Sequence, residues 1–567
     1  MESVNITQKA RLGFRSESPS LTNSPITTLH SDILREIFLI NANIFTEEKC
    51  LKNTCRSSQV CHAWRSLILD SPTIWGRLIE LSALERCTKQ WREEVLKRSG
   101  DSLLWVYGRT LGCLTRPRQG TDIAEFFYHI LDAHWERIEH LDITVGERHI
   151  TPDPPIDGEL WRPLLKPAPY LRSISVFPLH LRREYLFTRS NFSTPATPLF
   201  SNRASVLRKF FVKGLTFNLA SPWLSYLRDL SLSLSFSVSE ILNALRSMPL
   251  LMNLTISEPR QGSSVSTSLP SVILASLTTL QLKYIPLPNA TELLTHIYPS
   301  DGCNLYVDSK FGSNANEELQ ALSRPLSGWF QNHLRNNHVT ELYLSLNSTS
   351  LRVRDNTSHT DIHKSEFRMA VTTFPTQRQA LPLVSFDFPS LFTDCNFSTI
   401  TQLSMIIPHL PPTTFAALCS LFTSVTDLSA DENTLATILQ ADIPTQNEYA
   451  KAAEPTPLFP LLHTLRMCAF GDHHPESDSY FVVDTDHASV NVQLLLQFFR
   501  TRSAFGAPIQ TLDIGIISDR KNLDITFLEE ITGLVVVQFI GEEKCFSYTC
   551  GSGKPESLLF RATSVDF

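Results

Sequence analysis

The sequence lacks several features that mark common classes of protein. It contains no run of about 18 apolar residues, so it predicts no membrane-spanning helix. Glycine is scarce, at 20 residues in 567, whereas proline is plentiful at 34, which predicts loops stiffened by proline. Charged residues make up only 19%, and 50 basic against 57 acidic residues leave a net charge of −7. This balance argues against a protein that binds nucleic acid along its whole length.

The eleven cysteines include no C-x-x-C pair, so no disulfide framework is predicted. Cys50, Cys55 and Cys61 are five and six residues apart. Structural zinc sites use closer pairs, so we expect three free thiols, with Cys61 buried. The segment Met1–Ser20 has basic residues but no apolar run, so no secretory signal is expected. We therefore expect a soluble, reduced, intracellular protein of the cytoplasm or nucleus that is not secreted.

Residues 1–24 are polar and predict a disordered tail. After the tail, Ser31 is expected to cap a helix that has Asp32 in its first turn. An apolar stripe follows at helical spacing: Ile33, Leu34, Ile37 and Phe38. The polar segment 46–58 is also helical in composition.

A second apolar stripe indicates another helix: Val60, Trp64, Leu67 and Ile68. Ser71-Pro72 then predicts that one helix ends and another begins just before Trp75. Because short helices are unstable alone, Trp64 and Trp75 are expected to be buried against each other. For Trp64 and Val60, positions in the core of a helix bundle are the favoured interpretation. Residues 82–100 predict an amphipathic helix that ends at Gly100, and residues 123–135 predict another.

One pattern, apolar-x-x-apolar-x-apolar, recurs from about residue 138 onward. Eleven matches occur in order: Ile138-Leu141-Ile143, Leu171-Ile174-Val176, Leu207-Phe210-Val212, Leu227-Leu230-Leu232, Leu251-Leu254-Ile256, Leu277-Leu280-Leu282, Val339-Leu342-Leu344, Ile400-Leu403-Met405, Val425-Leu428-Ala430, Leu462-Leu465-Met467 and Ile509-Leu512-Ile514. Several spacings, such as 227 to 251, fall within the leucine-rich-repeat period of about 20–29 residues. The longer gap from 277 to 339 indicates insertions or undetected repeats, and only Asn347 fits the asparagine position of regular repeats.

Helical segments follow several of these triplets, at 240–245, 293–297, 415–422 and 490–499. The alternation of strand and helix predicts an α/β fold: an irregular solenoid with parallel strands on its concave side and helices outside. We expect this array, with a C-terminal cap, to occupy residues 138–567. An all-helical module at 25–81 and a helical connector at 82–137 would precede it.

Three blocks of the helical module resemble an F-box. Residues 29–38, L-H-S-D-I-L-R-E-I-F, resemble its first helix, usually L-P-x-E-I-L-x-x-I-F. Residues 59–65, Q-V-C-H-A-W-R, resemble its V-C-x-x-W-R segment, and residues 71–75, S-P-T-I-W, resemble its S-P-x-L-W end. The whole layout resembles the F-box proteins of basidiomycete fungi with degenerate leucine-rich repeats, with landmarks at Leu96–Gly100 and His134–Ile138.

The resemblance implies a non-catalytic substrate-receptor subunit of an SCF-type cullin ubiquitin ligase. Its F-box would bind a Skp-type adaptor, and through it a cullin. The residues implied are Leu29, His30, Ile33, Leu34, Ile37, Phe38, Val60, Cys61, Trp64, Leu67 and Trp75. One position departs from the family pattern, because His30 replaces the usual proline. A protein-interaction scaffold that no longer docks the adaptor is therefore a second hypothesis.

The repeat array would bind the target protein, whose identity the sequence does not give. Polar positions between the strand leucines are the candidates, because they are expected on the concave face. They are Ser231, Thr255, Gln281, Tyr343, Ser404, Arg466 and Asp513. No cofactor, metal, nucleic acid or membrane is expected to bind.

Catalytic alternatives are weaker. Asp472-His473-His474 and Asp484–His487 could bind a divalent metal, but no helix-spaced ligand pair occurs, so a solvated loop is favoured. Gly551–Lys554 resembles the end of a phosphate loop, but the first glycine is absent and Pro555 replaces the required Ser or Thr. A hydrolase within the array is the third hypothesis, and it predicts a deep pocket lined by convergent polar groups.

Overall fold

The computed structural model describes residues 29–47, 49–109, 122–145, 158–178, 194, 196–233, 236–258, 269–310, 315–346, 350–355, 367–372, 388–392, 395–407, 410–442, 457–467, 491–514, 523–540 and 543–560. The expected tail at 1–24, Asn347 and the His/Asp segment at 472–487 lie outside these ranges. The chain forms two compact units, Met1–Pro152 and Asp153–Phe567. None of the helices in the described ranges combines the length and apolarity that a membrane span requires.

The first unit contains seven helices and three strands in its described part. They are α1 (Ser31–Asn41), α2 (Cys50–Ser57), α3 (His62–Leu69), α4 (Pro72–Gly76), β1 (Ile79–Glu80), α5 (Leu81–Leu84), α6 (Lys89–Arg98), β2 (Leu104–Gly108), α7 (Asp122–Ala133) and β3 (Ile138–Val145), with a 3-10 turn at Trp135–Arg137. The three strands are parallel, and β2 pairs with both β1 and β3.

Capping residues set several of these helix ends. His30, and not the expected Ser31, caps α1, because its Nδ1 accepts a hydrogen bond from the Asp32 N–H at 3.3 Å. The single helix expected over 82–100 is wrong, since α5 and α6 are separate. Thr88 divides them: its backbone is extended and its Oγ1 accepts from the Trp91 N–H at 3.3 Å, so it starts a new helix. Gly100 follows α6 with φ +47°, as expected of a glycine that ends a helix.

The first unit is not purely helical. The connector expected to be helical over 82–137 contains β2, and the module expected at 25–81 ends with β1. The triplet Ile138-Leu141-Ile143 lies on β3, which pairs with β2 in the first unit. Short isolated strands such as β1 carry little periodic signal, so the sequence pattern did not reveal them.

The second unit is a mixed α/β structure around a large, mostly parallel sheet. Its elements are β4 (Ser173–Pro178), β5 (Lys209–Val212), β6 (Asp229–Ser233), α8 (Val238–Leu245), β7 (Asn253–Ser257), β8 (Val272–Leu274), β9 (Thr279–Pro286), α9 (Leu287–His296), β10 (Ile297–Pro299), β11 (Asn304–Lys310), α10 (Ala315–Asn336), β12 (Glu341–Leu346), β13 (Ser350–Asp355), β14 (Phe367–Thr372), β15 (Gln402–Ile406), α11 (Pro412–Cys419), β16 (Asp427–Ala430), α12 (Glu432–Asp442), β17 (Thr464–Met467), α13 (Val492–Ala504), β18 (Thr511–Asp513), β19 (Leu523–Asp524), β20 (Val535–Ile540), β21 (Glu543–Thr549) and β22 (Leu559–Phe560). Short 3-10 helices occur at Gly158–Leu165, Leu199–Asn202, Pro222–Tyr226, Phe388–Phe392, Thr526–Glu530 and Pro555–Leu558.

Strand pairing in the large sheet runs β4-β5-β6-β7-β9-β11-β14-β13-β12-β15-β16-β17-β18-β20-β21. Each sequence triplet in this unit ends on one of these strands, except that Ile514 of the last triplet lies one residue beyond β18, and the apolar side chains of all the triplets are buried. The expected strands are thus confirmed. Helices α8, α9, α11 and α13 also lie where the sequence predicts helices.

One turn precedes most of the parallel strands. The N–H of Leu171, Leu207, Leu227 and Leu251 in each case donates to the carbonyl three residues earlier, at 3.2–3.4 Å. The same bond recurs at Leu277, Ile400, Val425 and Leu462. Each repeat therefore consists of a turn followed by a strand. The first apolar residue of the triplet closes the turn, and the two residues before it form the tip of the turn.

The gap in the pattern between 277 and 339 contains β11, which the sequence pattern did not detect. Leu305 and Val307 occupy the last two triplet positions, but Gly302 stands at the first, so the triplet is incomplete. Strand β11 pairs with β14, and β14, β13 and β12 form an antiparallel meander before the parallel order resumes at β15. A fully buried hydrogen bond links this meander to α10: the His333 Nε2 lies 2.6 Å from the Asp355 Oδ2 of β13.

Candidate functional site

Helix α1 exposes a line of large aliphatic side chains. Leu29 is 36% exposed, Ile33 51%, Ile37 38% and Ile40 66%. Because the residues lie four, four and three positions apart, the three isoleucines share one face of α1, and Leu29 lies just before its start. We call these four residues the isoleucine face.

The other side of α1 is also apolar. Phe38 is buried, Leu34 is half-buried and Ala42 just after the helix is buried. The Phe38 ring contacts the Trp64 ring of α3 edge-on, with centroids 5.1 Å apart. Helix α1 therefore packs one apolar face within the first unit and leaves the isoleucine face uncovered there.

The loop before α3 adds a second exposed segment. Val60, expected in the core, is 64% exposed, and Cys61, expected to be buried, is also exposed. Both expectations are wrong because these residues precede the first turn of α3, where Cys61 is the N-cap and not part of the packed helix face. Trp64 and Leu67, one and two turns later, are half-buried.

Trp75 belongs to the core of the first unit and not to its surface. It is 1% exposed, its Nε1 donates to the Ile68 carbonyl at 2.9 Å, and its ring contacts Trp91. The Arg98 guanidinium lies 4.9 Å above the same ring. Trp75 is thus buried against Trp91, whereas the half-buried Trp64 packs against Phe38, so the expected burial of the two tryptophans against each other is wrong. Like Phe38, Trp75 stabilises the fold from within.

The two landmark segments after the helical module lie together. The Arg137 guanidinium donates to the Ser102 carbonyl from Nε at 3.0 Å and from Nη2 at 2.8 Å. It also donates to the Ser99 Oγ at 3.0 Å. Burial lowers the pKa of Arg137. This contact ties the end of α6 to the start of β3.

The seven candidate residues for target binding share one row of the large sheet. Register pairs Ser231 with Thr255, Thr255 with Gln281, Tyr343 with Ser404, and Arg466 with Asp513. Three residues that the sequence pattern missed join the halves of the row: Tyr306, Arg368 and Arg354. They lie on β11 and the meander, where the triplet pattern is broken. The row also includes Ser429, between Ser404 and Arg466.

Side chains along this row differ in exposure. Ser231 and Asp513 are buried, so neither presents a solvated surface as expected. The Arg466 side chain is 49% exposed and donates from Nε to the Asp513 Oδ2 at 2.7 Å, which accounts for the buried carboxylate. Thr255, Gln281, Tyr343 and Ser404 are half-buried.

The centre of the row combines cations with tyrosine rings. The Arg368 guanidinium lies 5.1 Å from the Tyr306 ring centroid, and the Lys283 Nζ lies 5.7 Å from it. Burial lowers the pKa of Lys283, and the nearby Lys213 lowers it further. The described part of this face is therefore a polar band that contains charged and aromatic groups.

The Gly551–Lys554 turn binds a carboxylate of its own chain. The Gly553 N–H donates to the Glu529 Oε1 at 2.7 Å, and the Tyr548 hydroxyl donates to the Glu529 Oε2 at 2.9 Å. The turn follows β21 and not a strand that leads into a long helix, which agrees with rejecting a phosphate loop. Among the described residues, no group of three or more His, Cys, Asp or Glu could hold a metal ion.

No family model matches the chain, and the curated proteins include no match to its sequence.

Proposed function

We propose that the protein is the substrate-receptor subunit of an SCF-type cullin ubiquitin ligase. Its first unit would bind a Skp-type adaptor, and its second unit would bind the target protein. The observation that carries the proposal is the isoleucine face. Leu29, Ile33 and Ile37 occupy positions that the F-box resemblance implies in adaptor binding, and all are exposed.

The physical argument is the cost of exposed aliphatic area. Fully burying a Leu or Ile side chain is worth roughly 1.5–3 kcal/mol relative to leaving it in water. Single exposed aliphatic side chains are common, but a contiguous line of them marks an interaction surface. Four such residues on and beside α1, with Val60 exposed in the loop before α3, would supply the apolar centre of an interface.

Two further features support the proposal. The landmark segments of the family contact each other through Arg137. The second unit, which we interpret as an irregular leucine-rich-repeat-like solenoid, offers the polar band as a broad surface for a target. Its strand order and repeated turn agree with such an array.

The alternative, a scaffold that does not dock the adaptor, rests on His30, which replaces the usual proline of the family pattern. Its backbone φ of −61° and ψ of 145° match the conformation of proline, so the usual family residue would fit here. His30 instead uses its side chain to cap α1. The substitution His30→Pro would therefore restore the family pattern at the cost of one capping hydrogen bond.

Binding of the full chain to a purified Skp-type adaptor tests the proposal. We expect Ile33→Asp with Ile37→Asp to weaken binding at least tenfold, which corresponds to about 1.4 kcal/mol. Ile273→Asp is the matched control, because Ile273 is 78% exposed in the second unit. Binding that the double variant leaves unchanged would overturn the assignment of the surface.

The His30→Pro variant separates the two hypotheses. If the protein is a receptor, the wild-type chain is expected to bind the adaptor, and the His30→Pro variant is expected to bind it with equal or higher affinity. If only the variant binds, the natural chain is the scaffold. If neither binds, while circular dichroism shows both folded, the resemblance does not extend to adaptor docking.

A further inference from the structure

A short motif recurs in the turns at the start of the array. Tyr170-Leu171-Arg172 precedes β4, Val206-Leu207-Arg208 precedes β5, and Tyr226-Leu227-Arg228 precedes β6. In each, the leucine is buried and closes the common turn. The residue before it lies at the tip of the turn, and the arginine lies directly before the strand.

The three arginines occupy equivalent positions on adjacent strands. The Arg208 N–H donates to the Arg172 carbonyl at 2.8 Å, and the Arg228 N–H donates to the Arg208 carbonyl at 2.8 Å. Neighbouring strands are about 4.8 Å apart, so the three side chains start within roughly 10 Å of one another. Tyr170 is 54% exposed and Tyr226 43% exposed beside them, and the Arg208 guanidinium lies 5.8 Å from the Tyr226 ring centroid. We call Tyr170, Arg172, Arg208, Tyr226 and Arg228 the tyrosine–arginine edge.

The fold itself does not require these residues. The same turn, with the same hydrogen bond, precedes β9, β15 and β16. There the tip residues are Ser276, Thr399 and Ser424. The residues directly before those strands are likewise small and uncharged: Thr278, Thr401 and Thr426. Arg208 stabilises its own turn, because its Nη1 donates to the Ser205 and Leu207 carbonyls at 3.1 and 3.0 Å. The turn as such nevertheless forms without tyrosine at its tip or arginine before the strand.

The local charge differs in sign from that of the whole chain. The described residues between 158 and 258 include nine basic and four acidic side chains, whereas the whole chain has a net charge of −7. Of those acids, Glu240 and Glu258 follow the carboxyl ends of β6 and β7, away from the edge. Asp229 accepts a hydrogen bond from the Asn253 side chain. Exposed Arg203 and Arg246 lie in the segments that lead into β5 and β7, so they add to the basic charge.

We propose that the tyrosine–arginine edge is a binding site for an extended acidic polypeptide segment. Arginines form strong, often bidentate hydrogen bonds with carboxylates, and tyrosine and arginine dominate the binding energy of protein interfaces. Three strands span roughly 10 Å, which matches about three extended residues at ~3.3 Å each. A long nucleic acid would extend beyond this basic segment and meet a chain of net negative charge, so a short acidic segment fits better. The site does not depend on adaptor docking.

Fluorescence anisotropy of the full chain with a labelled peptide of alternating Glu and Ala tests the site. The same peptide with Gln in place of Glu, and single-stranded oligo-uridine, are the comparison ligands. We expect saturable binding of the Glu peptide that weakens as salt is raised, because the contacts are ionic. The Gln peptide is expected to bind at least tenfold more weakly.

The variant Arg203→Glu with Arg228→Glu is expected to weaken binding of the Glu peptide at least tenfold. Both side chains are exposed, so the thermal melt should stay as in the wild type. Arg324→Glu with Arg335→Glu, two exposed positions of α10, applies the same charge change elsewhere and should leave affinity within twofold. Tyr226→Ala provides a second variant that keeps the charge, and it should weaken binding severalfold.

Three outcomes would overturn the proposal. They are binding of the Glu peptide to the Arg203/Arg228 variant as tightly as to the wild type, tighter binding of oligo-uridine than of the Glu peptide, and the absence of saturable binding by the Glu peptide. The second outcome would assign the edge to nucleic acid instead.

Discussion

Helix α1 and the strands of the array use the same aliphatic residues in opposite ways. Leu230, Leu254 and Leu280 lie on neighbouring strands and are completely buried, whereas Ile33 and Ile40 of α1 remain more than half exposed. In a strand with alternating apolar residues, all the apolar side chains lie on one face of the sheet, and in the array this face is buried. Helix α1 has apolar residues on two faces, and the first unit buries only one of them. Apolar residues in the array therefore stabilise the fold, while those on the isoleucine face are available for binding.

Among the buried residues, we expect the largest loss of stability at the hydrogen-bonded pair His333–Asp355 of the meander. Asp355→Ala leaves His333 buried without its partner and removes the acceptor for the Phe367 N–H, which donates to the Asp355 Oδ1 at 2.8 Å. Each buried group left without its hydrogen-bond partner costs about 1–3 kcal/mol, so we expect a loss of about 2–6 kcal/mol in the free energy of unfolding, measured by urea denaturation. Asp301→Ala, at an exposed position, is the control. A loss below about 1 kcal/mol would mean that the meander does not depend on this pair.

Leu254→Ala should have the next largest effect. Leu254 is completely buried in β7, so the shortened side chain leaves a cavity and lowers the free energy of unfolding by about 2–5 kcal/mol. Leu250→Ala, four residues earlier at an exposed turn tip, is a matched control with an expected change of about 0.5 kcal/mol or less. Equal effects of the two substitutions would contradict the burial of the array leucines.

Thr88→Ala should have a smaller effect and probes the boundary between α5 and α6. The substitution removes the hydroxyl that accepts from the Trp91 N–H, so we expect a loss of about 1 kcal/mol. Thr88→Ser keeps the acceptor and should retain most of the stability. Thermal melts of the two variants against the wild type measure the difference. An alanine variant as stable as the wild type would argue that the cap is dispensable.

The smallest change in stability is expected on the isoleucine face. Ile33→Ala and Ile40→Ala remove side chains that contact little of the first unit, and alanine favours helix. The free energy of unfolding should change by about 0.5 kcal/mol or less, even though adaptor binding is expected to fall. Phe38→Ala, on the opposite face, is the contrast and should cost about 3–5 kcal/mol. A large loss of stability for Ile33→Ala would assign this face to the fold.

The array strands could be predicted because three spaced apolar residues mark both a strand and the turn before it. The same rule missed β11, where Gly302 replaces the first apolar residue. It could not reveal the antiparallel meander, since pairing between distant strands depends on tertiary contacts and leaves no periodic trace in the sequence.

Exposure was harder to predict than secondary structure. Ile37 and Phe38 are adjacent on one apolar helix, yet only Phe38 is buried, because Trp64 of α3 covers it. Val60 and Ile68 belong to the same apolar stripe of the sequence, yet only Ile68 is buried. The Tyr-Leu-Arg motif was visible at 170–172 and 226–228. These residues lie in the turns and not between the strand leucines, so the repeat pattern does not mark them as candidates for binding.

The insertion of the meander has a consequence for how the chain folds during synthesis. Strand β11 ends at Lys310, but the strand that completes its ladder, β14, ends at Thr372, 62 residues later. At about 5–20 residues per second, a ribosome needs several seconds to deliver it. During that interval β11 is an open sheet edge, the kind of surface on which strands of other chains can pair. The first strands of the array can pair one after another as they emerge, but β11 cannot pair with β14 until β14 has been synthesised.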